Sequence, residues 1–99
     1  MFHDRQGNPI ALSEWLRLLE DEGYRQVARD TVGGIQISTV WNGIHPGHGD
    51  GPPAIFETAT RFGRKPWHIQ QRYSTEEEAL AGHALFVRYY NDEDVEKPV

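Results

Sequence analysis

Residues 30–41, Asp-Thr-Val-Gly-Gly-Ile-Gln-Ile-Ser-Thr-Val-Trp, predict a β-hairpin near the middle of the chain. Gly33 and Gly34 can supply the positive φ angles of a two-residue turn. The β-branched residues after the turn favour a strand over 35–41, and 24–32 is its predicted partner. The turn predicts four cross-strand pairs: Val32 with Ile35, Asp30 with Ile37, Ala28 with Thr39, and Val27 with Val40. A polar residue opposite Ile37 indicates a face that is near solvent or near a site.

Two further strands are predicted on the C-terminal side of this hairpin. Apolar and β-branched residues indicate one strand over 54–62 and a second over 68–73. Gly63 and Pro66 mark the turn between them. Near the N-terminus, Phe2 indicates a very short edge strand before a turn.

A first helix is predicted over 13–22, on the N-terminal side of the strands. Leucines and a tryptophan recur there at helical spacing and form one apolar stripe. Ser13 is the predicted N-cap, and Gly23 is the predicted C-terminal stop.

A second helix is predicted after the last strand. Thr75 and Glu78 have the spacing of a capping box, and the helix is expected to end near 90–91. Helices that share one core with antiparallel strands predict an α+β fold. We expect a three- to four-stranded antiparallel sheet with two helices, in the order α-β-β-β-(β)-α. Residues 1–92 form the single predicted domain, and the acidic residues 93–99 form a frayed tail.

The composition limits the classes of protein that the chain can belong to. The chain has 99 residues, with enough aromatic side chains for one modest core, and no cysteine, which excludes disulfides and thiolate metal sites. The formal net charge of −5 disfavours direct binding to nucleic acid or to an anionic membrane. No apolar leader or bilayer-spanning run is visible, so we expect a cytoplasmic protein without a membrane anchor.

A Gly/Pro-rich loop over 43–53 is longer than a tight hairpin needs, which favours a functional role. It contains His45, His48 and Asp50, side chains that can bind a metal, transfer a proton or contact a ligand. Their spacing matches no zinc or calcium motif, so no metal and no cofactor are assigned. Metal binding, contact with a ligand or partner, and a packed or solvated loop all remain open.

His83 and Glu57 are the next candidate site residues. His83 lies in the apolar stripe of the second helix, where it is either a core residue with one partner or a base or ligand that points toward Glu57, Thr39 or the loop. Glu57 alternates with Ile55, and either face of its strand can be the covered one. An enclosed Glu57 requires a partner, and an arginine or a histidine would meet that need.

A basic segment follows Glu57. Mixtures of cations and aromatic rings bind phosphates and stack on bases, but the negative net charge and the lack of a nucleic-acid motif weaken that interpretation. Pairing with the acidic runs of the chain explains the cations equally well. The segment contains Arg61, Arg64, Lys65, Trp67, His68 and Arg72.

Several strings occur along nearly the whole chain. They include Pro52-Pro53-x-Ile55-Phe56-Glu57-Thr58 and two more specific strings, Ser38-Thr39-Val40-Trp41 and Thr75-Glu76-Glu77-Glu78-Ala79-Leu80-Ala81-Gly82-His83. In these strings the chain resembles a family of small proteins of bacteriophages and actinobacteria. The resemblance implies a phage or prophage setting, and therefore the cytoplasm of a host. The family has no assigned activity, so the resemblance implies no catalytic or binding residues.

Three functional hypotheses follow. The first is a small acidic interaction protein, non-enzymatic, that binds a host protein such as a defence or nucleic-acid-handling factor through the central loop and the basic segment. The alternative is a ligand-binding protein or enzyme that acts on a nucleotide or another phosphate-bearing ligand through His45, His48, Glu57 and His83. The third is a purely structural module that oligomerises through its sheet or its aromatic helix faces, for example as a homodimer, because the chain has more aromatic side chains than one thin core covers.

Overall fold

The structure, a computed structural model, describes residues 1–44 and 51–98. Its elements follow one another along the chain as β1 (Phe2–His3), β2 (Pro9–Ile10), α1 (Leu12–Leu19), α2 (Glu22–Arg25), β3 (Gln26–Val32), β4 (Ile35–Trp41), β5 (Phe56–Phe62), β6 (His68–Tyr73) and α3 (Glu76–Tyr90). Strands β1 and β2 form a small hairpin. The other strands form one antiparallel sheet in the order β3-β4-β5-β6. The predicted α+β fold with a four-stranded antiparallel sheet is confirmed.

The central hairpin turns where the sequence predicted. Gly33 has a φ of 59°, but Gly34 does not take a positive φ, which is the pattern of a type II′ turn. Three of the four predicted pairs are present, and the pair of Val27 with Val40 is wrong. A β-bulge makes Val27 the extra residue, so that Gln26 lies opposite Val40.

The side chain of Gln26 bonds to the backbone of both strands at the bulge. Its Nε2 donates to the Ala28 carbonyl oxygen at 2.8 Å and to the Thr39 carbonyl oxygen at 3.1 Å. The amide therefore bridges the two strands at the irregular point of the ladder.

The N-terminal helical region differs from the prediction. Helix α1 covers Leu12–Leu19, and its N-cap is Ala11 without a side-chain bond, rather than Ser13. Gly23 does not end this helix but lies inside α2, whose N-cap Asp21 accepts a hydrogen bond from the Tyr24 amide. Residues 1–44 and 51–98 therefore contain three helices rather than the two that were predicted, and strand β3 begins at Gln26 instead of Tyr24.

The start of helix α3 agrees with the prediction. The Glu78 amide donates to Thr75 Oγ1 at 3.1 Å, and the Thr75 amide donates to Glu78 Oε1 at 3.1 Å, which is a complete capping box. Helix α3 packs on one face of the sheet and covers Phe56, Thr58 and Thr60 of β5.

A second packing layer joins α1 to the end of the sheet near Trp41. Both indoles donate to backbone carbonyls: Trp41 Nε1 to His3 at 3.0 Å, and Trp15 Nε1 to Asn42 at 2.8 Å. Gly43 lies between the two rings with a φ of 73°, and a Cβ there would stand 2.6 Å from the Trp41 ring and 2.9 Å from the Trp15 ring. The left-handed backbone at position 43 and the closeness of the two indole rings therefore both require a glycine there.

We expect Gly43→Ala to lower the free energy of unfolding by roughly 2–4 kcal/mol, because the left-handed backbone and the crowded Cβ both oppose the side chain. Gly7→Ala is the matched control, since Gly7 has a φ of 87° but no atom within 4 Å of a Cβ. Urea unfolding of both variants measures the difference. Equal losses for the two variants would show that the tryptophans do not confine Gly43.

Candidate functional site

The sheet has one face under helix α3 and one face that no helix of the described residues covers. The register of the ladder identifies the side chains on the uncovered face, because directly opposed residues lie on the same side. We call these positions the open face. They are Gln26, Arg29, Thr31, Gln36, Ser38, Val40, Glu57, Ala59, Arg61, Ile69 and Arg72.

The open face is basic although the chain as a whole is acidic. Arg29, Arg61 and Arg72 come from three different strands, and Glu57 is the one carboxylate among the open-face positions. Ile69, opposite Ala59 on the edge strand β6, is 50% exposed. The surface therefore combines guanidinium groups with an exposed apolar side chain.

Hydrogen bonds hold two of these guanidinium groups in place. Arg29 Nη2 donates to Gln36 Oε1 at 3.0 Å, and Arg61 Nε donates to the carbonyl oxygen of Lys65 at 3.0 Å. Each bond uses one nitrogen and leaves others free to contact a further acceptor. The Arg61 bond also ties the open face to the turn between β5 and β6.

The structure places Glu57 on the open face, where it forms an ion pair with Arg72 at 3.7 Å. Its partner is thus one of the two side-chain types that the sequence suggested. Because alternate residues of β5 point to the helix, Glu57 and His83 lie on opposite faces of the sheet. The structure does not bring these two candidates together.

The other predicted site residues are distributed around the β5–β6 hairpin. Arg64 and Lys65 are exposed in its turn, and Trp67, 40% exposed, precedes β6. His68 is exposed and lies opposite Thr60, so it belongs to the helix-covered side. His45, His48 and Asp50 lie outside the described residues.

His83 is buried in a hydrogen-bonded network between α3 and the sheet. Its Nδ1 lies 2.7 Å from Thr39 Oγ1, and its Nε2 lies 2.7 Å from Asp30 Oδ2. Thr39 Oγ1 is also 2.6 Å from Thr58 Oγ1, to which the Tyr73 hydroxyl donates at 3.1 Å. Five side chains, one from each strand of the four-stranded sheet and one from helix α3, are therefore linked in one chain of hydrogen bonds.

The donors and acceptors of this network match completely when His83 is neutral. The Asp30 carboxylate can only accept, so His83 Nε2 carries the hydrogen and Nδ1 accepts from Thr39. Thr39 then accepts from Thr58, and Thr58 accepts from Tyr73. Every hydroxyl hydrogen has an acceptor, which is what a buried polar network requires.

The order of an aspartate, a histidine and a hydroxyl is also the order of a catalytic triad. Thr39 and Thr58 are fully buried, however, and the network reaches solvent at the Asp30 end, where the side chain is 53% exposed. A substrate carbonyl cannot approach the Thr39 hydroxyl in this structure. The network positions helix α3 and does not present a nucleophile.

Tyr73 reaches this network because helix α3 has a glycine at the contact. A Cβ at Gly82 would overlap the phenol of Tyr73. Burial raises the pKa of Tyr73 above its ordinary value, and a hydrogen bond with the Thr58 hydroxyl opposes this in part.

Sequence reasoning found His83 and named Thr39 as a residue that could face it, but it missed Asp30, Thr58 and Tyr73 as partners. The predicted pair of Thr39 with Ala28 already placed Thr39 and Asp30 on one face of β4 and β3. Thr58 could be added only once the register of β4 against β5 was known.

Comparison of the chain with models of protein families, with curated proteins and with solved structures finds no match. The resemblance to proteins of bacteriophages and actinobacteria therefore stays a prediction. No helix in the described part of the chain is long and apolar enough to cross a membrane. Within residues 1–44 and 51–98, no group of three or more His, Asp or Glu side chains is arranged to hold a metal ion.

We expect Thr39→Val to lower the free energy of unfolding by about 1–3 kcal/mol, because it leaves His83 Nδ1 without a donor and the Thr58 hydroxyl hydrogen without an acceptor at nearly unchanged side-chain shape. Thr31→Val is the control, since Thr31 is exposed on the open face, and its effect should lie within about 0.5 kcal/mol of zero. Urea unfolding at neutral pH measures both values. A Thr39→Val variant as stable as the control would refute a stabilising role for the network.

The raised pKa of Tyr73 makes stability depend on alkaline pH. A phenol whose folded-state pKa exceeds its unfolded value contributes stability that is complete below the unfolded value of about 10 and is lost as the pH rises through the folded value. We therefore expect the wild type to lose stability more steeply than Tyr73→Phe does as the pH rises above about 10. Thermal unfolding of both proteins across this pH range tests the prediction. Melting temperatures that fall in parallel with pH for the wild type and Tyr73→Phe would contradict it.

Proposed function

We propose that this protein is a non-enzymatic interaction domain that binds an acidic surface of another protein through the open face of its sheet. The observation that carries the proposal is the basic and partly apolar character of that uncovered face. Guanidinium groups on three strands and the exposed Ile69 fit a partner surface that offers carboxylates around an apolar centre.

The distribution of charge supports an oriented encounter. The acidic clusters lie away from the open face, in residues 20–22, at the start of helix α3 and after its end. A partner with an acidic surface is attracted by the open face and repelled by these clusters, which selects one orientation of approach. Charge of this kind contributes more to orientation and association rate than to final affinity.

The side chains of the open face favour a protein partner over a nucleic acid. Sheets that bind single-stranded nucleic acids place aromatic rings where the bases stack. None of the described open-face positions is aromatic. The net charge of −5 also opposes the counterion release that drives binding to a phosphate backbone.

The absence of an accessible nucleophile in the His83 network supports a non-enzymatic role for the part of the chain that the structure describes. The alternative hypothesis is a nucleotide site formed by Glu57 and His83 with the loop histidines, and it requires these side chains to line one cavity. Glu57 and His83 lie on opposite faces of the sheet, which does not favour that arrangement. The resemblance to bacteriophage proteins makes a host protein the proposed partner. Residues 43–53 follow β4 in the sequence, and their contribution to binding stays a prediction from the sequence.

The test is affinity capture from nuclease-treated bacterial lysate with the wild type and two double variants. Arg29→Glu with Arg61→Glu reverses the charge of the open face. Arg17→Glu with Arg88→Glu makes the same change of net charge at exposed helical positions whose present partners are Glu14 and Glu93. We expect the open-face variant to lose the captured protein by about tenfold or more, and the control variant to retain it.

Salt and nuclease distinguish the outcomes. Capture through the open face should weaken as salt rises from about 50 mM to about 500 mM, because screening shortens the range of its charges. A captured protein that both double variants retain would refute the open face as the binding surface. Capture from untreated lysate that is absent after nuclease treatment would instead identify a nucleic-acid ligand and overturn the proposal. No specific capture from nuclease-treated lysate at low salt would overturn it as well.

A further inference from the structure

A cavity of about 610 Å³ lies at the C-terminal end of helix α3, on the helix-covered side of the sheet and away from the open face. Its volume is within the range of small-ligand sites, roughly 300–1,000 Å³. The start of β4 and the end of β5 form its floor, helix α3 forms one wall, and the residues after the helix form the other.

Three aromatic rings line this cavity. Phe62 and Tyr90 have centroids 5.8 Å apart at 81°, and Tyr89 and Tyr90 have centroids 5.0 Å apart at 73°. Edge-to-face pairs of this kind expose ring faces in different directions. Phe62 is 39% exposed, so part of its ring is open to a molecule in the cavity. The face of an aromatic ring is electron-rich and attracts cations.

The chain returns over these rings because helix α3 ends in a Schellman motif. Asp92 has a φ of 58°, its amide donates to the Tyr89 carbonyl at 3.3 Å, and the Glu93 amide donates to the Arg88 carbonyl at 3.2 Å. This turn brings Asp92 and Asp94 to the wall of the cavity opposite the aromatic rings.

The charges of this wall are largely unneutralised. Glu93 has an ion pair with Arg88 at 3.3 Å, whereas Asp92 and Asp94 have no ion pair with any described residue. The C-terminal end of a helix carries a partial negative charge and also favours a cation. The aromatic rings, the carboxylates and the end of the helix therefore all favour the binding of a cation.

We propose that this cavity binds an alkylammonium group. Such a group can contact the ring faces with its methylene chain and its charge, while its N–H donors reach the carboxylates. A bare divalent metal ion needs several oxygen ligands at short distances, and the described carboxylates are not grouped to supply them. The ammonium can come from a free polyamine or from a lysine side chain, and this site does not depend on the function proposed for the open face.

The experiment is a titration of ¹⁵N-labelled protein followed by amide chemical shifts, with two probes in separate arms. One probe is spermidine, and the other is a short neutral peptide with a single central lysine. We expect saturable shifts concentrated at 35, 62 and 89–95. Tighter binding of spermidine would identify a free polyamine as the source, and binding of the peptide at least as tight would identify a lysine side chain.

Paired variants separate this site from general attraction to acidic surfaces. Asp92→Asn with Asp94→Asn should weaken binding by about tenfold, whereas Glu20→Gln with Glu22→Gln, which removes the same charge elsewhere, should leave it within about twofold. Phe62→Leu should weaken binding by about threefold or more, whereas Phe62→Tyr should keep it, because the tyrosine retains a ring.

Folding of each variant is checked by the dispersion of its amide spectrum. The proposal would be overturned by any of three results. These are amide chemical-shift changes spread evenly over all acidic clusters, a probe affinity of Phe62→Leu equal to that of the wild type, and no chemical-shift changes with either probe. Stronger binding of Ca²⁺ than of both probes to the same amides would overturn it in favour of a metal site.

Discussion

The hydrogen-bonded network through His83 is the constraint on which the rest of the structure depends. It places threonine hydroxyls and an imidazole in the layer between helix and sheet, where apolar side chains alone would allow several helix orientations. Only an orientation that brings His83 between Asp30 and Thr39 satisfies these groups. Gly82 adds a steric condition, because the Tyr73 phenol needs the space that a side chain would fill. The network thus fixes the axis of α3 on one face of the sheet.

Both proposed surfaces follow from that placement. A single helix layer leaves the opposite side of the sheet uncovered, and the polar and basic residues there are compatible with water. The same helix, ending where β4 begins and β5 ends, places its aromatic last turn over Phe62. Basic residues are concentrated on one side of the molecule and many carboxylates on the other, so the two surfaces differ in the charge of the group they attract. The basic side follows from the strand residues that point away from helix α3, whereas the carboxylates come from residues 20–22, the start of α3 and the residues after its end.

The sequence predicted the features that depend on local chemistry. The capping box of α3 and the glycine turn of the central hairpin are specified by residues close together in the chain, and both are present. Helix α2 and the bulge at Val27 were missed because they depend on contacts with distant residues: Tyr24 packs edge-on against Trp41, and Gln26 bonds across to Thr39. For the same reason His83 could be named as a candidate while most of its partners could not. The side of β5 on which Glu57 lies was undecided until the helix position was known.

The hydrogen-bond order inside the network has a direction. With a neutral imidazole, each hydroxyl hydrogen points from Tyr73 toward His83. If the imidazole gained a second hydrogen, Nδ1 would become a donor, and Thr39 and Thr58 would both have to rotate to face the other way. Tyr73 would then accept rather than donate, and its own hydrogen would need a new acceptor outside the network. A single protonation at the imidazole would therefore change the hydrogen-bonding role of the Tyr73 phenol, which lies on β6, two strands from Thr39 on β4.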